Sequence, residues 1–213
     1  MKLEYFGHSF WKITSGATRI VIDPFDDIGY PMPTNLAADY ILISHEHHDH
    51  NNIGLIMGNP IVIRESGLHQ YPGLKIELIS VFHDNALGTK RGRNNIIKLE
   101  ADGVTLVHCG DLGHVPDEAT LKSIHNPDIL LIPVGELYTL SLDEVWETIK
   151  LINPGLIFPM HYRTSALSFN LGELDTFLQG ASNVLQHPTN ALDVTADLLA
   201  EYRTIVMNWQ AEG

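Results

Sequence analysis

The segment Ser44-His45-Glu46-His47-His48-Asp49-His50-Asn51-Asn52 is the densest group of metal-binding residue types in the chain. It directly follows the apolar run Tyr40-Ile41-Leu42-Ile43, which predicts a short buried strand. In extended backbone, side chains two residues apart point to the same side, so His45 and His47 can bind one ion. The pair Asp49-His50 can then turn toward a second ion. The segment therefore predicts a metal-binding loop at a strand end.

Two other interpretations of this segment are disfavoured. The helical zinc-protease pattern needs a second histidine four residues after the first, but Asp49 occupies that position and the cluster follows a strand. A purely structural role would require four imidazoles and two carboxylates to fall together by chance in a chain with 12 histidines. The metal-binding interpretation is therefore retained.

Three further candidate ligands lie just after predicted strands. They are His83 after Lys75–Val81, Asp111 after Val104–His108 and His161 after Leu156–Pro159. Loops held by rigid sheets often carry the functional residues of a protein. Each residue alone could be a solvated turn residue, but together with the histidine-rich loop they predict one composite site.

The order of predicted strands and helices along the chain predicts a layered α/β sandwich in one domain over residues 1–213. Its first half is rich in strands and its second half alternates strands with helices. The first strands form an antiparallel meander, Lys2–Phe6, Phe10–Thr14 and Arg19–Ile22. The other strands are Pro60–Ile63, Asn95–Glu100, Asp128–Ile132 and one near Thr204–Met207, besides those already named. The helices run from Pro116 to Ile124, from the capping box at Ser141 to Leu151, and over Leu171–Leu178.

The amino-acid composition and net charge of the chain restrict the kinds of molecule that it can bind. The chain has 213 residues, 44% of them hydrophobic, and a formal net charge of −13 that disfavours nucleic acid and anionic membrane surfaces. Cys109 is the only cysteine, so no internal disulfide can form and we expect it to be a small buried apolar residue. The N-terminus lacks signal-peptide features. We expect a soluble cytoplasmic protein with a small-molecule substrate, and a homo-oligomer is compatible with the sequence.

The motif His45-x-His47-x-Asp49-His50 resembles the signature of the metallo-β-lactamase superfamily, and further similar segments follow in the order that superfamily requires. These segments are Gly7-His8-Ser9, Ile22-Asp23-Pro24-Phe25, Phe82-His83-Asp84, Arg91-Gly92, Gly110-Asp111-Leu112-Gly113-His114, Ile132-Pro133-Val134-Gly135 and Pro159-Met160-His161-Tyr162. They resemble the small single-domain branch, which includes sugar-phosphate lactonase-like proteins, and they span most of residues 1–165. The resemblance implies a four-layer αββα sandwich with the metals at one edge of the two sheets.

The resemblance also implies a ligand set for two divalent ions. His45, His47 and His83 would bind the first ion, Asp49, His50 and His161 the second, and Asp111 would bridge them. Imidazoles and carboxylates without thiolates suit Zn, Mn or Fe, and zinc is our first expectation.

Several residues around the ligands are expected to act in catalysis or substrate binding. We assign Asp49, His114 and His8 to catalysis, although His8 could instead be a structural histidine. Glu136 departs from the branch, which usually has a second glycine after Gly135, and it could narrow the pocket or change its charge. We assign Glu136 and Tyr162 to substrate binding. Four other histidines are expected to lie on the surface or in loops, namely His48, His69, His125 and His187.

The loop after His83 reverses the charge of the chain locally, because it contains Lys90, Arg91 and Arg93 within a strongly acidic sequence. A guanidinium can make two parallel hydrogen bonds to phosphate or carboxylate, so we assign Arg91 to an anionic group of the substrate. A solvated loop whose cations pair with surface acids is the alternative.

Two ions about 3.5–4 Å apart would share a hydroxide and stabilise charge on the attacked group. The reaction expected first is hydrolysis of a small ester or lactone, and hydrolysis of a phosphodiester is the second choice. No Gly-x-Ser-x-Gly nucleophile elbow competes. A non-catalytic metal-binding regulatory module is the alternative of another class, and a nucleic-acid-processing enzyme is disfavoured by the charge.

Overall fold

The computed structural model describes residues 1–210, which contain fourteen strands and four α-helices. The strands are β1 (Lys2–Gly7), β2 (Phe10–Ser15), β3 (Thr18–Ile22), β4 (Tyr40–Leu42), β5 (Ile61–Ile63), β6 (Gly67–Tyr71), β7 (Leu74–Phe82), β8 (Arg93–Ala101), β9 (Val104–His108), β10 (Ile129–Pro133), β11 (Leu156–Met160), β12 (Val184–His187), β13 (Ala191–Asp193) and β14 (Thr204–Met207). The helices are α1 (Glu118–Ser123), α2 (Leu142–Ile152), α3 (Leu174–Leu178) and α4 (Ala196–Glu201).

The strands form two mixed sheets. The six-stranded sheet has the order β13-β1-β2-β3-β4-β5, and the eight-stranded sheet has the order β12-β14-β11-β10-β9-β8-β7-β6. Strands β3 and β4 are parallel, as are β9, β10 and β11, while β7 and β9 are both antiparallel to β8. The carboxyl ends of β7, β9, β10 and β11 therefore lie at the same end of the larger sheet.

The main core lies between the sheets. It contains Trp11 and Leu42 from the smaller sheet together with Leu99 and Phe158 from the larger one, all fully buried. Alternating burial along β1 follows from the two-residue period of a strand, which turns every second side chain inward. Strands β10 and β11 are buried on both faces, and this explains their continuous apolar sequences.

The outer layers differ between the two sheets. Helices α1, α2 and α3 pack on the larger sheet, and α2 begins at a capping box between Ser141 and Glu144. The outer face of the smaller sheet is covered by irregular chain that includes Phe25 and Leu167 and by the 3-10 turn Ile53–Leu55. The α/β sandwich is confirmed, with one outer layer largely irregular. None of the described helices is long and apolar enough to cross a membrane.

Several short strands and one short helix were not predicted from the sequence. Strand β6 is an exposed edge strand without apolar alternation, and β12, β13 and α4 contain only three to six residues each. The third helix begins at Leu174 rather than Leu171, because Glu173 has an extended backbone and pairs with Arg163 in an isolated parallel bridge.

Candidate metal centre

The predicted ligands gather at one end of the sandwich. The loop that contains His45 follows β4, and three further ligands follow β7, β9 and β11, namely His83, Asp111 and His161. His8 lies in the turn between β1 and β2, and its backbone carbonyl accepts a hydrogen bond from the N–H of His161 at 2.9 Å. Both sheets therefore contribute to the cluster and are joined at it.

Asp111 is the centre of this cluster. Its Oδ2 atom lies 3.2 Å from Nε2 of His83, 3.2 Å from Nε2 of His161, 3.4 Å from Nε2 of His50 and 3.9 Å from Nε2 of His45. All five side chains are nearly inaccessible to solvent. One carboxylate oxygen therefore faces four imidazole nitrogens in a buried environment.

The ligand atoms around Asp111 fall into two groups. One group contains His45, His47 and His83, and the other contains His8, Asp49, His50 and His161, with all atoms of a group within 4.8 Å of one another. A third group joins Asp111 to His45 and His50. The structure thus brings together all seven residues that the sequence predicts as ligands.

A buried carboxylate that the sequence analysis did not assign supports the cluster. Asp23 accepts hydrogen bonds from the backbone N–H of Ser44 at 2.7 Å and from its Oγ at 2.6 Å, and its Oδ2 lies 2.9 Å from Nδ1 of His50. Ser44 Oγ also lies 2.9 Å from Nδ1 of His45. Such outer contacts orient imidazoles toward a metal. Asp23 follows β3, so its position after a strand could have identified it.

The position of Asp111 depends on two neighbours. Its backbone N–H donates to Oδ1 of Asn94 at 3.0 Å, and Nδ2 of Asn94 donates to the carbonyl of Cys109 at 2.8 Å. Gly110 has a φ of +55°, and a Cβ atom there would lie 2.3 Å from Asn94 Oδ1. Only glycine fits this place without moving Asn94. Cys109 is buried as expected, and burial raises the pKa of its thiol.

The electrostatics of the cluster favour a bound cation. Burial opposes the charged form of Asp111, but the imidazoles of His161 and His50 hold its pKa well below the usual range. Burial likewise opposes protonation of His50, but Asp111 and Asp23 raise its pKa well above normal. Negative charge in this buried place therefore requires a positive partner, which can be a proton or a metal ion.

The protonation of the histidines and two unpaired buried atoms also favour binding of divalent ions. Burial, followed by the neighbouring imidazoles, lowers the pKa of His45 and lowers that of His8 to about 4. These rings are thus neutral at neutral pH, the form that binds metals. His50 Nε2 and Asp111 Oδ1 are buried without a hydrogen-bond partner, and an ion would satisfy both atoms.

A cavity of about 480 Å³ opens onto the cluster. Besides several ligands, its walls include Lys90, Arg91, Tyr138 and Phe169. The guanidinium carbon of Arg91 lies 5.2 Å from the centre of the Tyr138 ring, a cation–π contact. Neither aromatic residue was predicted from the sequence. Tyr138 follows β10 and could have been found by that position, whereas nothing in the sequence around Phe169 indicates its role.

Asp84 holds the loop that carries Arg91. Its Oδ1 accepts the backbone N–H groups of Ala86 at 2.7 Å and Gly88 at 2.9 Å, and its Oδ2 accepts those of Lys90 at 3.0 Å and Arg91 at 2.8 Å. Burial opposes ionisation, but these four donors lower the pKa of Asp84 to about 2. The side chain is therefore a carboxylate at neutral pH that fixes the loop.

His114 and Tyr162 are not brought to the cavity. Phe82 donates its backbone N–H to Nε2 of His114 at 3.3 Å, and Nδ1 of His114 lies 2.9 Å from the carbonyl of Val115. Both ring nitrogens are thus engaged by backbone. Tyr162 is 5% exposed and packs in the core beneath the helices, where burial raises its pKa.

Glu136 lies beside a neighbouring cavity of about 320 Å³, which it shares with Arg91 and Tyr138. Its Oε1 accepts the backbone N–H of Leu142 at 3.3 Å, at the start of α2. The φ of Glu136 is +54°, a conformation that glycine adopts easily. This backbone requirement agrees with the glycine expected there, and the carboxylate is turned toward the helix.

Four further histidines occupy surface or loop positions, and one of them, His48, also lines the cavity. His48 and His125 are exposed, while His69 and His187 are partly buried and lie within hydrogen-bond distance of backbone carbonyls. They therefore match the expected surface or loop roles.

Comparison with known proteins agrees with this geometry. The family model described as a β-lactamase superfamily domain matches residues 2–161. The chain belongs to that superfamily. A Thermotoga maritima structure described as a Zn-dependent hydrolase of the metallo-β-lactamase superfamily is 35% identical, with a TM-score of 0.82 and 97% of each chain covered.

Two further proteins are also similar to this chain. A UPF0173 metal-dependent hydrolase from Thermococcus onnurineus is 30% identical over 195 residues, which cover 77% of this chain and 85% of the relative. An isothiocyanate hydrolase from Delia radicum gut bacteria shares the fold, with a TM-score of 0.66 at 15% identity and coverage of 84% and 91%.

The first prediction concerns Gly110. We expect Gly110→Ala to lower both the free energy of unfolding and metal retention, because its Cβ would displace Asn94 and with it Asp111. Gly103→Ala is the matched control, since Gly103 also has a positive φ but no atom within 4 Å of the added Cβ. The control should lose about 1–2 kcal/mol from backbone strain alone. Chemical denaturation and metal analysis of both variants measure the difference, and equal losses would contradict the steric argument.

Proposed function

We propose that this metal-dependent hydrolase of the metallo-β-lactamase superfamily cleaves a small ester or lactone that carries an anionic group. The observation that carries the proposal is the set of four imidazole nitrogens around Asp111 Oδ2. Asp111, His83 and His161 from this set line a cavity whose wall also contains Lys90 and Arg91. Zinc is the first choice of metal, supported by the Zn-dependent description of the Thermotoga maritima relative. Manganese and iron suit the same ligand types.

Two ions are proposed, one for each group of ligand atoms. His45, His47 and His83 would hold the first, Asp49, His50 and His161 the second, and Asp111 would contact both. When bound, the ions would polarise the attacked carbonyl and make water available as a nucleophile near neutral pH.

The protein's own residues would place the substrate. Arg91 lines the cavity next to the ligands, and no carboxylate lies within ion-pair distance of it among the described residues. Its guanidinium is therefore free to bind a carboxylate or phosphate of the substrate. Tyr138 supports the flat face of the guanidinium, and Asp84 fixes the backbone beneath it. Asp49, whose side chain is 14% exposed, can orient the attacking water through the oxygen that does not contact His8.

Phosphodiester hydrolysis is the second candidate. The observation in its favour is that Lys90 and Arg91 both line the cavity, so two cations can face a phosphate. The same two residues would serve an anionic ester, and the choice depends on the group attacked at the metals.

The second prediction tests the reaction class. The protein loaded with Zn or Mn is assayed on a panel of aryl esters, lactones and phosphodiesters, before and after chelation. We expect turnover of esters or lactones that is lost with the metal and restored by adding it back. Faster turnover of phosphodiesters would favour the second candidate. A fully loaded protein without turnover on any class would instead favour a non-catalytic metal-binding module.

The third prediction concerns metal content. We expect about two equivalents in the wild type, since the ligands form two groups that share Asp111. Asp111→Ala should lower metal affinity by more than the roughly 10- to 100-fold typical of an outer contact. His114→Ala should leave metal content near that of the wild type, because both of its ring nitrogens contact only backbone. Elemental analysis after dialysis measures both, and similar losses in the two variants would refute the ranking.

The fourth prediction concerns Arg91. We expect Arg91→Ala to raise KM for an anionic substrate by the worth of a charged hydrogen bond, about 1.5–3 kcal/mol or on the order of 10- to 100-fold. KM for a neutral ester of similar size should barely change. Lys150→Ala, on the exposed side of α2, controls for the loss of one charge. An equal effect on the charged and neutral substrates would mean that Arg91 only supports the loop.

A further inference from the structure

The histidines near the cluster fall into two classes, according to whether backbone groups occupy both of their ring nitrogens. His108 represents the first class: its Nε2 lies 3.0 Å from the carbonyl of Ser9, and its Nδ1 accepts the backbone N–H of Gly110 at 3.0 Å. His114 shows the same pattern. Because both nitrogens of these rings are occupied by backbone, neither ring is available to an ion.

His8 belongs to the second class. It is fully buried, its Nδ1 has no partner, and its Nε2 lies 3.1 Å from Oδ2 of Asp49. His83 and His161 share these features, since each is buried with a free Nδ1 and an Nε2 that lies 3.2 Å from a carboxylate oxygen of Asp111. By its contacts, His8 resembles the predicted ligands and differs from the structural histidines.

The backbone around His8 is built to hold this ring in place. The φ of His8 is +53°, a left-handed conformation that is unusual for a residue with a side chain. Its carbonyl accepts hydrogen bonds from the hydroxyl of Tyr5 at 3.0 Å and from the N–H of His161 at 2.9 Å. The rings of His8 and His161 are 4.2 Å apart between centres. The turn is therefore fixed against a neighbouring ligand.

The ring nitrogen of His8 also lies close enough to the ligand atoms of Asp49, His50 and His161 to bind the same ion. One ligand atom each from His8, Asp49, His50 and His161 falls within 4.8 Å of the other three. This spread is close to that of the coordination sphere of one ion, whose ligands lie about 2.0–2.2 Å from the metal.

We propose that His8 is a direct ligand of the second ion, in addition to Asp49, His50, His161 and Asp111. The inference rests on the proposed two-ion site and extends its ligand set. The second ion would then have five protein donors, whereas His45, His47, His83 and Asp111 give the first ion four. The more fully coordinated second ion would be retained more tightly, and the first would have more room for the substrate.

The alternative is that His8 only donates a hydrogen bond to Asp49. His8→Gln separates the two roles, because the glutamine amide can place an N–H donor near the position of Nε2 but supplies no imidazole. His8→Ala removes both functions, and added imidazole can refill the space that it leaves. His125→Gln, at an exposed histidine outside the cluster, is the matched control.

The first measurement uses the wild-type protein loaded with ¹¹³Cd and labelled with ¹⁵N in its histidines. A one-bond scalar coupling between cadmium and a ring nitrogen reports direct ligation. We expect six coupled rings, including that of His8, which is identified by its absence from the spectrum of His8→Gln. An uncoupled His8 ring overturns the proposal, whether or not the variants fold. Binding of a single cadmium would instead refute the two-ion site.

The second measurement determines how much metal each variant retains as the concentration of a chelator is raised. We expect His8→Gln and His8→Ala to lose the second, more tightly held equivalent at a chelator concentration at least tenfold lower than that needed for the wild type and His125→Gln. Imidazole should restore retention in His8→Ala. Retention in His8→Gln equal to that of the wild type would show that His8 only positions Asp49.

Discussion

The buried carboxylate of Asp111 is the group on which the site depends. A carboxylate in a low-dielectric interior is stable only with positive charge and hydrogen-bond donors close by. Here four imidazoles surround one of its oxygens, and Asn94 fixes its backbone. Because the imidazoles come from the ends of β4, β7 and β11, the same requirement holds both sheets together at this end. The stability of the fold and its capacity to bind metal are therefore coupled at Asp111.

Rigidity around Asp111 comes from backbone geometry that few residues tolerate. Gly110, His8 and His161 all have positive φ angles, and the carbonyl of His8 accepts the N–H of His161. Asp23 adds a buried hydrogen-bond network beneath His50 and Ser44. Such strained conformations persist only where the surrounding structure determines them, and they are concentrated at functional sites. The cluster is thus preorganised by contacts that lie outside the ligand set.

Much of the site could be predicted from the sequence, because the His45–His50 cluster is local and strand ends could be recognised at His83, Asp111 and His161. The sequence did not reveal where a ring or carboxylate turns. His114 is in a promising segment, but backbone groups take both of its nitrogens, and Glu136 is turned toward the start of α2. Short edge strands such as β6 were missed because their burial is set by distant chain and not by a local pattern.

The loop between β7 and β8 links the metal centre to substrate recognition. It begins at His83 and contains Arg91, and the backbone N–H of His83 donates to the carbonyl of Gly92 at 3.1 Å, which closes the loop at its base. Asp84 then fixes its interior through four hydrogen bonds. The distance between the ligand imidazole and the guanidinium is therefore set by a short, cross-linked segment. A cation held in this way favours substrates in which the anionic group and the attacked bond are separated by a fixed distance, so selectivity would come from spacing as well as from charge.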